Sequence, residues 1–326
     1  MINTAFYMSI NAKVVSGEAS YDIINPASGK VIAQAPDCSA RELDTAVVSA
    51  RQAFSLWSAT PIDDRRGMLE AFAQKIIENI DELSQLLTQE QGKPLKGAVE
   101  DIMGGAHWLI ETAKLQLPER VSEDTAERLV MTSYQPVGVV AGIVPWNFPV
   151  MLAMFKVAPA LLAGNTMILK PATSTPLTSL RIGELAQEIF PAGVLNVISG
   201  GDHVGPLLTA HADIDKISFT GSTATGKKVM QSAASTLKRL TLELGGNDAC
   251  IVMPSVDVER IAESIFWGAF TNSGQVCICT KRLFVHKEVY EPLKLALVQY
   301  AEAVVVGDGA AEDTLIGPLQ NFTQYQ

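Results

Sequence analysis

Cysteine, histidine and positive charge are all scarce in this sequence. Four cysteines (Cys38, Cys250, Cys277, Cys279) in 326 residues are too few for a disulfide-stapled secreted scaffold. The four histidines have no zinc-like spacing to them. Cys277 and Cys279 lack a second pair and His286 alone completes no site, so no metal centre is expected. Lysine and arginine number 25 against 35 acidic residues, a net charge of −10. That balance excludes the clustered positive surface a nucleic-acid partner needs. The opening "MINTAFYMSINAKVV" has no basic region followed by an apolar run, so no signal peptide is expected and a reducing cytoplasm fits. Residues 129–155 carry no charge and are long enough to span a bilayer. Pro136, Pro145 and Pro149 would break such a helix, so no membrane partner is expected.

What is present describes a folded α/β chain. Hydrophobic residues make up 48% and charged residues 18%, which excludes disorder. Apolar periodicity predicts helices over 41–56, 65–91 and 97–114. A polar stretch with short alternating pieces, "LPERVSEDTAERLVMTSYQ" at 117–135, predicts a hairpin. From Val137 onward short apolar strands alternate with helices: "VGVVAGIV", helix 149–163, "TMILK", helix 176–189, "VLNVIS", helix 203–211, "KISFT", helix 223–236. This rhythm predicts a parallel sheet covered on both faces, with ligand sites at the carboxyl ends of the strands. The pattern restarts near Gly245 with "ACIVM", helix 257–270, "RLFVH" and helix 288–304, a second and short α/β unit.

Several segments could carry chemistry. "FTGSTATGKK", 219–228, nearly spells a nucleotide-hydrolysing P-loop, but Lys228 stands where the magnesium-binding hydroxyl is required. The Gly-x-Gly-x-x-Gly fingerprint is also absent. Strand, Gly221-Ser222, then helix would still offer free backbone N–H groups and a hydroxyl to a pyrophosphate; a tight βα turn explains the glycine equally well. In "FTNSGQVCICTKR" Cys277 follows a Gly-Gln turn, where a thiolate could attack a carbonyl; a buried thiol is the plainer role and the default for Cys38 and Cys250. Glu243 interrupts the apolar "LTLELGG", and a buried carboxylate there would either pair or serve as a base with a raised pKa. Asn147 in "IVPWNFPV" lies between a strand and a proline-started helix, placed to donate to an oxyanion or to cap a turn.

"PWNFP", "LKPATSTPL", "FTGSTATG", "LELGG" and "FTNSGQVC" occur in this order, and together they resemble the NAD(P)-dependent aldehyde dehydrogenase superfamily. The likeness runs from about "YDIINPASGKVI" to the last residue. It implies a Rossmann-like parallel-sheet cofactor domain (1–120 and 137–244), a β-hairpin oligomerisation element (121–136) and a catalytic α/β domain (245–326) that is incomplete. It makes Cys277, rather than Cys279, the nucleophile, Asn147 the oxyanion donor and Glu243 the base that activates water for thioester hydrolysis. NAD or NADP would lie along Val144, Trp146, Lys170, Thr173, Gly201, Gly205, Gly221, Ser222 and Leu244. Thr173 departs from the glutamate that often stands there, removing a charge that repels a 2′-phosphate and offering a donor to it, so NADP should be tolerated. The aldehyde channel would be lined by Phe148, Met151, Phe155, Val276 and Ile278, an apolar set favouring a medium-chain or aromatic aldehyde over a semialdehyde acid. A homodimer or homotetramer is implied for the full-length form. The family's later Glu-x-Phe-Gly-Pro segment is absent, so a truncated, dinucleotide-binding but non-catalytic chain is the alternative. A coenzyme A-acylating relative is opposed by Glu243.

Overall fold

In the computed structural model, residues 5–326 are described. Two hairpins open the chain. The first joins β1 (Met8–Ile10) to β2 (Lys13–Val15) through Asn11 and Ala12, both at φ +53°. The second joins β3 (Ala19–Ile24) to β4 (Val31–Asp37). Four helices follow: α1 (Ala40–Ala59), α2 (Ile62–Glu78), α3 (Ile80–Gln91) and α4 (Leu95–Ala113). Ser39 and Glu42 start α1 with a reciprocal capping box. The single helix expected over 65–91 is two. Asn79 leaves helical geometry (φ −106°, ψ 17°) and turns its side-chain amide onto the Lys75 carbonyl at 2.8 Å, the competition with the backbone that short amides offer.

The expected hairpin forms as β5 (Arg120–Asp124) and β6 (Leu129–Thr132), with Val121, Leu129, Met131 and Tyr134 exposed. Then come β7 (Val139–Ile143), α5 (Pro149–Leu162), β8 (Thr166–Lys170), α6 (Leu177–Ala186), β9 (Leu195–Val197), α7 (Val204–Ala210), β10 (Lys216–Thr220), α8 (Thr223–Ala234) and β11 (Arg239–Glu243). The sheet order is β11-β10-β7-β8-β9-β1-β2. All five strands from β7 to β11 pair in parallel, while β1 and β2 extend the edge antiparallel. β7 and β8 are buried almost throughout, as strands covered on both faces must be. The chain builds outward from β7 to β9 and then crosses back to β10 on the other side of β7. This reversal leaves a crevice at the carboxyl ends of β7 and β10, where ligands bind in such sheets.

Past Gly245 and Gly246 the chain starts a second core. β12 (Asp248–Val252), α9 (Val258–Phe270), β13 (Thr280–Val285) and α10 (Tyr290–Ala303) form a two-stranded parallel sheet with its helices. Cys250, Val252, Leu283 and Val285 pack toward the helices, whereas Ile251 and Phe284, paired across the strands, are exposed. Among the described residues no helix is long and apolar enough to cross a membrane, and no group of three or more acidic, histidine or cysteine side chains could hold a metal.

Candidate active site at the carboxyl ends of the strands

Three segments from different parts of the chain meet around Cys277. The first is the turn that carries it. Asn272, Ser273 and Gly274 adopt successive left-handed conformations (φ +51°, +61° and +71°), a costly run for residues with a Cβ. It persists because each end is tied down. Asn272 Nδ2 donates to the Asn147 carbonyl at 2.9 Å, Ser273 Oγ to the Gly317 carbonyl at 2.8 Å, and the Gln320 N–H to Gln275 Oε1 at 2.9 Å. Cys277 emerges from this turn half-buried, while Cys279 is buried with its thiol against the Gly274 and Val276 carbonyls at 3.4 and 3.1 Å. Cys38 lies wholly in the main core, and burial pushes its thiol up to about 12. Among the described residues all four cysteines are free.

The second segment joins β7 to α5. Asn147 Nδ2 donates one hydrogen to the Gln275 carbonyl at 2.9 Å. A primary amide has two such hydrogens, so the same group keeps one for a neighbour of Cys277. The third segment is the end of β11. Gly246 lies so close under Cys277 that an added Cβ would strike the Cys277 carbonyl. Gly246→Ala is therefore expected to displace the cysteine turn and destabilise the fold by about 1–3 kcal/mol, read as a lower denaturation midpoint together with slower Cys277 acylation. A variant as stable and reactive as wild type would refute that contact.

Glu243 corrects one expectation. It is exposed, not buried, because β11 is the edge strand and its side chains alternate: Leu240 and Leu242 turn toward the core, Thr241 and Glu243 toward solvent. Its main chain is fixed by the Gly221 N–H, which donates to the Glu243 carbonyl at 3.0 Å. Behind it lies Lys156 of α5, bonded to Ser218 and Thr220 hydroxyls at 3.2 and 2.8 Å. Burial lowers the Lys156 pKa to about 8, and the Glu243 charge opposes that shift.

Two clefts adjoin this region. The smaller, about 420 Å³, is lined by Lys170, Gly201, Asp202, Gly205, Thr225 and Lys228 among others. The larger, about 1290 Å³, is lined by Trp146, Thr173, Asp202, Phe270 and Gln320 among others. Asp202 belongs to both, so the clefts meet there. Lys170 is buried, and its ammonium donates to the Pro171 carbonyl at 3.2 Å, one of three available donors. Burial lowers its pKa to about 8 against the pull of Asp202 and Asp37. Gly205 has open space where a Cβ would stand. Ser222 caps α8 by accepting from the Thr225 N–H at 3.1 Å, and the first turn of such a helix leaves N–H groups free for an anion. The Gly221 N–H is not among them, being engaged with Glu243.

The remaining predicted residues divide. Thr173 donates its hydroxyl proton to the Gly200 carbonyl at 3.0 Å, so the donor offered to a phosphate is already engaged. Val144 is buried, its N–H on the Lys170 carbonyl at 3.1 Å. Leu244 packs over Gly226. Phe148 lies under the Lys93 ammonium at 4.1 Å, Met151 abuts Gly104, and Phe155, 36% exposed, stacks on Trp108 at 4.2 Å between ring centroids. Val276 is half-buried beside Cys277, but Ile278 is 75% exposed and lines neither cleft. Lys93, Asp101, Glu90 and Gln320, all buried, escaped the sequence reading. A lysine lodged between Gly92 and Pro94 at a helix break was the available signal for the first.

The sequence matches the aldehyde dehydrogenase family over residues 14–326. This chain belongs to the aldehyde dehydrogenase family. A probable aldehyde dehydrogenase from a Pseudomonas species is 44% identical over 322 residues, 99% of this chain and 66% of that relative. The crystal structure of an E. coli NADP-dependent enzyme superimposes with a TM-score of 0.95 at 35% identity, covering 98% of this chain and 68% of that one. An aldehyde dehydrogenase from Bacillus cereus in complex with NAD+ matches with a TM-score of 0.95 at 36% identity, over 99% of this chain and 68% of that one. The chain thus spans about two thirds of the length of these proteins.

Glu90 is the buried member of this aldehyde dehydrogenase framework with a measurable pH signature. From α3 it accepts the Leu177 and Thr178 N–H groups at 2.7 and 2.9 Å, capping α6 from another helix. Burial raises its pKa from 4.5 to about 7, although both N–H bonds oppose the rise. A carboxyl raised on folding stabilises the fold fully below its unfolded pKa and loses that contribution as pH climbs through the folded value. Glu90 should therefore withdraw up to about 3 kcal/mol between pH 4.5 and 7. Denaturant titrations across that window should show the loss in wild type and its disappearance in Glu90→Gln; parallel curves would refute it.

Proposed function

We propose that this chain carries the nucleophile and cofactor cleft of an aldehyde dehydrogenase that oxidises an aldehyde to a carboxylate with NAD+ or NADP+. The observation that carries the reading is the convergence on Cys277: the Asn147 amide reaches its turn from one side, and Gly246, three residues past Glu243 at the end of β11, abuts it from the other. Cys277 is the nucleophile whose thiolate adds to the aldehyde carbonyl. Asn147 donates to the oxygen that becomes negative as the thiohemiacetal forms, a contribution typically of about 3–4 kcal/mol. Glu243 takes a proton from the water that hydrolyses the resulting thioester.

The clefts fit a dinucleotide. Lys170, Gly201, Gly205 and the start of α8 at Ser222 would hold its adenosine and phosphate portions, with Val144, Trp146 and Leu244 toward the nicotinamide. When bound, that group accepts the hydride. Thr173 leaves the ribose side of the cleft without a carboxylate at this position. Thr173→Glu should weaken NADP+ binding at least about tenfold by like-charge repulsion while sparing NAD+. Equal changes in both titrations would remove Thr173 as a discriminating residue.

The substrate side would be formed by Phe148, Met151, Phe155 and Val276, without the solvent-exposed Ile278; that apolar set suits a medium-chain or aromatic aldehyde. The exposed apolar face of the β5–β6 hairpin is where copies of the full-length protein would join as a dimer or tetramer. The division into a cofactor domain (1–120 and 137–244) and a catalytic domain from 245 is supported by the separation of the seven-stranded sheet from the β12–β13 sheet. The free thiols suit a reducing, cytoplasmic setting. An aldehyde panel with each cofactor, followed by reduced-nicotinamide absorbance, tests the reading. Turnover that survives loss of Cys277 would overturn it.

A further inference from the structure

A buried ion pair holds the segment that carries Asn147 at both of its ends. Lys93 stands in the break between α3 and α4, and Asp101 lies in the second turn of α4. Their side chains are 2% and 0% exposed and meet at 2.8 Å. Lys93 Nζ also donates to the Asn147 carbonyl at 2.9 Å and rests 4.1 Å from the Phe148 ring centroid. The second Asp101 oxygen, Oδ1, accepts the Met151 N–H at 2.7 Å. That N–H lies in the first turn of α5, whose own N-cap, Phe148, has no side chain able to cap it. Asp101 therefore caps α5 from another helix while Lys93 fixes the peptide plane of Asn147.

A buried ion pair is a poor route to stability, because desolvation of both charges offsets their attraction and an apolar pair of similar volume packs at least as well. What charges supply that apolar groups do not is direction. The Asn147 carbonyl receives two donors, Lys93 Nζ and Asn272 Nδ2, each at 2.9 Å. Together they set the orientation of the residue whose amide extends toward the cysteine turn.

We propose that Lys93 and Asp101 are positioning residues for the oxyanion donor Asn147: the pair aims the amide at the carbonyl oxygen of a substrate held on Cys277. The proposal rests on the reading of Cys277 and Asn147 given above. A displacement of about 1 Å at such a donor costs roughly a hundredfold in rate.

The test compares two reactions of the same thiol. Acylation of Cys277 by p-nitrophenyl acetate passes through an oxyanion; alkylation by iodoacetamide does not. Lys93→Met/Asp101→Asn removes both charges together, so no lone charge is left buried. It is expected to slow acylation about 10- to 100-fold and leave alkylation unchanged. Lys93→Arg, which keeps the charge, should recover part of the loss. Adding the double substitution to Asn147→Ala should cost nothing further, since residues acting as a unit are not additive. Wild-type acylation in the double variant, or an equal fall in both reactions, would overturn the proposal. Asn147→Ala acylating like wild type would overturn the functional reading itself; slow acylation in Asn147→Ala with none lost in the double variant would overturn the positioning role alone.

Discussion

Cys277→Ala is expected to abolish acyl-enzyme formation from p-nitrophenyl acetate, while Cys279→Ala leaves it intact. The two thiols stand two positions apart, yet their surroundings differ. The Cys279 sulfur faces two carbonyl oxygens within 3.4 Å and is buried beneath the turn. Cys277 is half-buried three residues past the left-handed run, in the turn whose Gln275 carbonyl receives the Asn147 amide. The other thiol of that turn, Cys279, is buried, so the loss should be at least about a thousandfold. Peptide mass mapping after brief exposure to the ester provides the measurement. An acetyl group found on Cys279 in the intact chain would reverse the assignment.

Glu243→Gln should separate two steps that Cys277→Ala cannot. Attack on the ester needs the thiolate and the oxyanion donor; breakdown of the acyl-enzyme needs a water stripped of its proton. Glu243 is open to solvent at the end of β11, with its main chain pinned by Gly221. A hydrolytic water can approach that side without crossing the core. The variant should keep a full initial burst of p-nitrophenol and then turn over about 100- to 10,000-fold more slowly. Stopped-flow traces with an unchanged steady state would take Glu243 out of deacylation, and a missing burst would move it to attack.

The parallel sheet was legible because its strands are short, apolar and buried on both faces, so composition alone marks them between their helices. Sheet neighbours were not: β1 and β2 lengthen the far edge, a pairing between residues 9 and 197 that no local pattern encodes. The 65–91 helix was read as one because Asn79 breaks its geometry without a glycine or proline. For the site, Asn147 follows β7 and Lys170 ends β8, as a strand-then-helix reading of the motifs expects, whereas Cys277 lies in the turn before β13. Glu243 was expected to be buried because its neighbours are apolar, but burial depends on a strand's place in the sheet, and an edge strand buries only alternate residues. Lys93 and Asp101 were invisible for a different reason. Eight positions apart across a helix break, they gain meaning only from Asn147 and Met151, which reach them through the fold.

The turn that carries Cys277 leans on chain made well after it. Ser273 bonds the Gly317 carbonyl, Gln275 receives the Gln320 N–H, and Leu95 donates to the Gly309 carbonyl at 3.1 Å. A Cβ on Gly92 would come within 2.7 Å of Pro318, so residues 309–320 and the α3–α4 break are fitted to each other. On a ribosome adding about 5–20 residues per second, domains form from the N-terminus onward. The sheet that ends at β11 is complete while residues 309–320 are still unmade or inside the exit tunnel. For that interval, on the order of seconds, the left-handed turn lacks its bonds to Gly317 and Gln320. The seven-stranded sheet is thus made before residues 309–320, whose contacts hold the turn that carries Cys277.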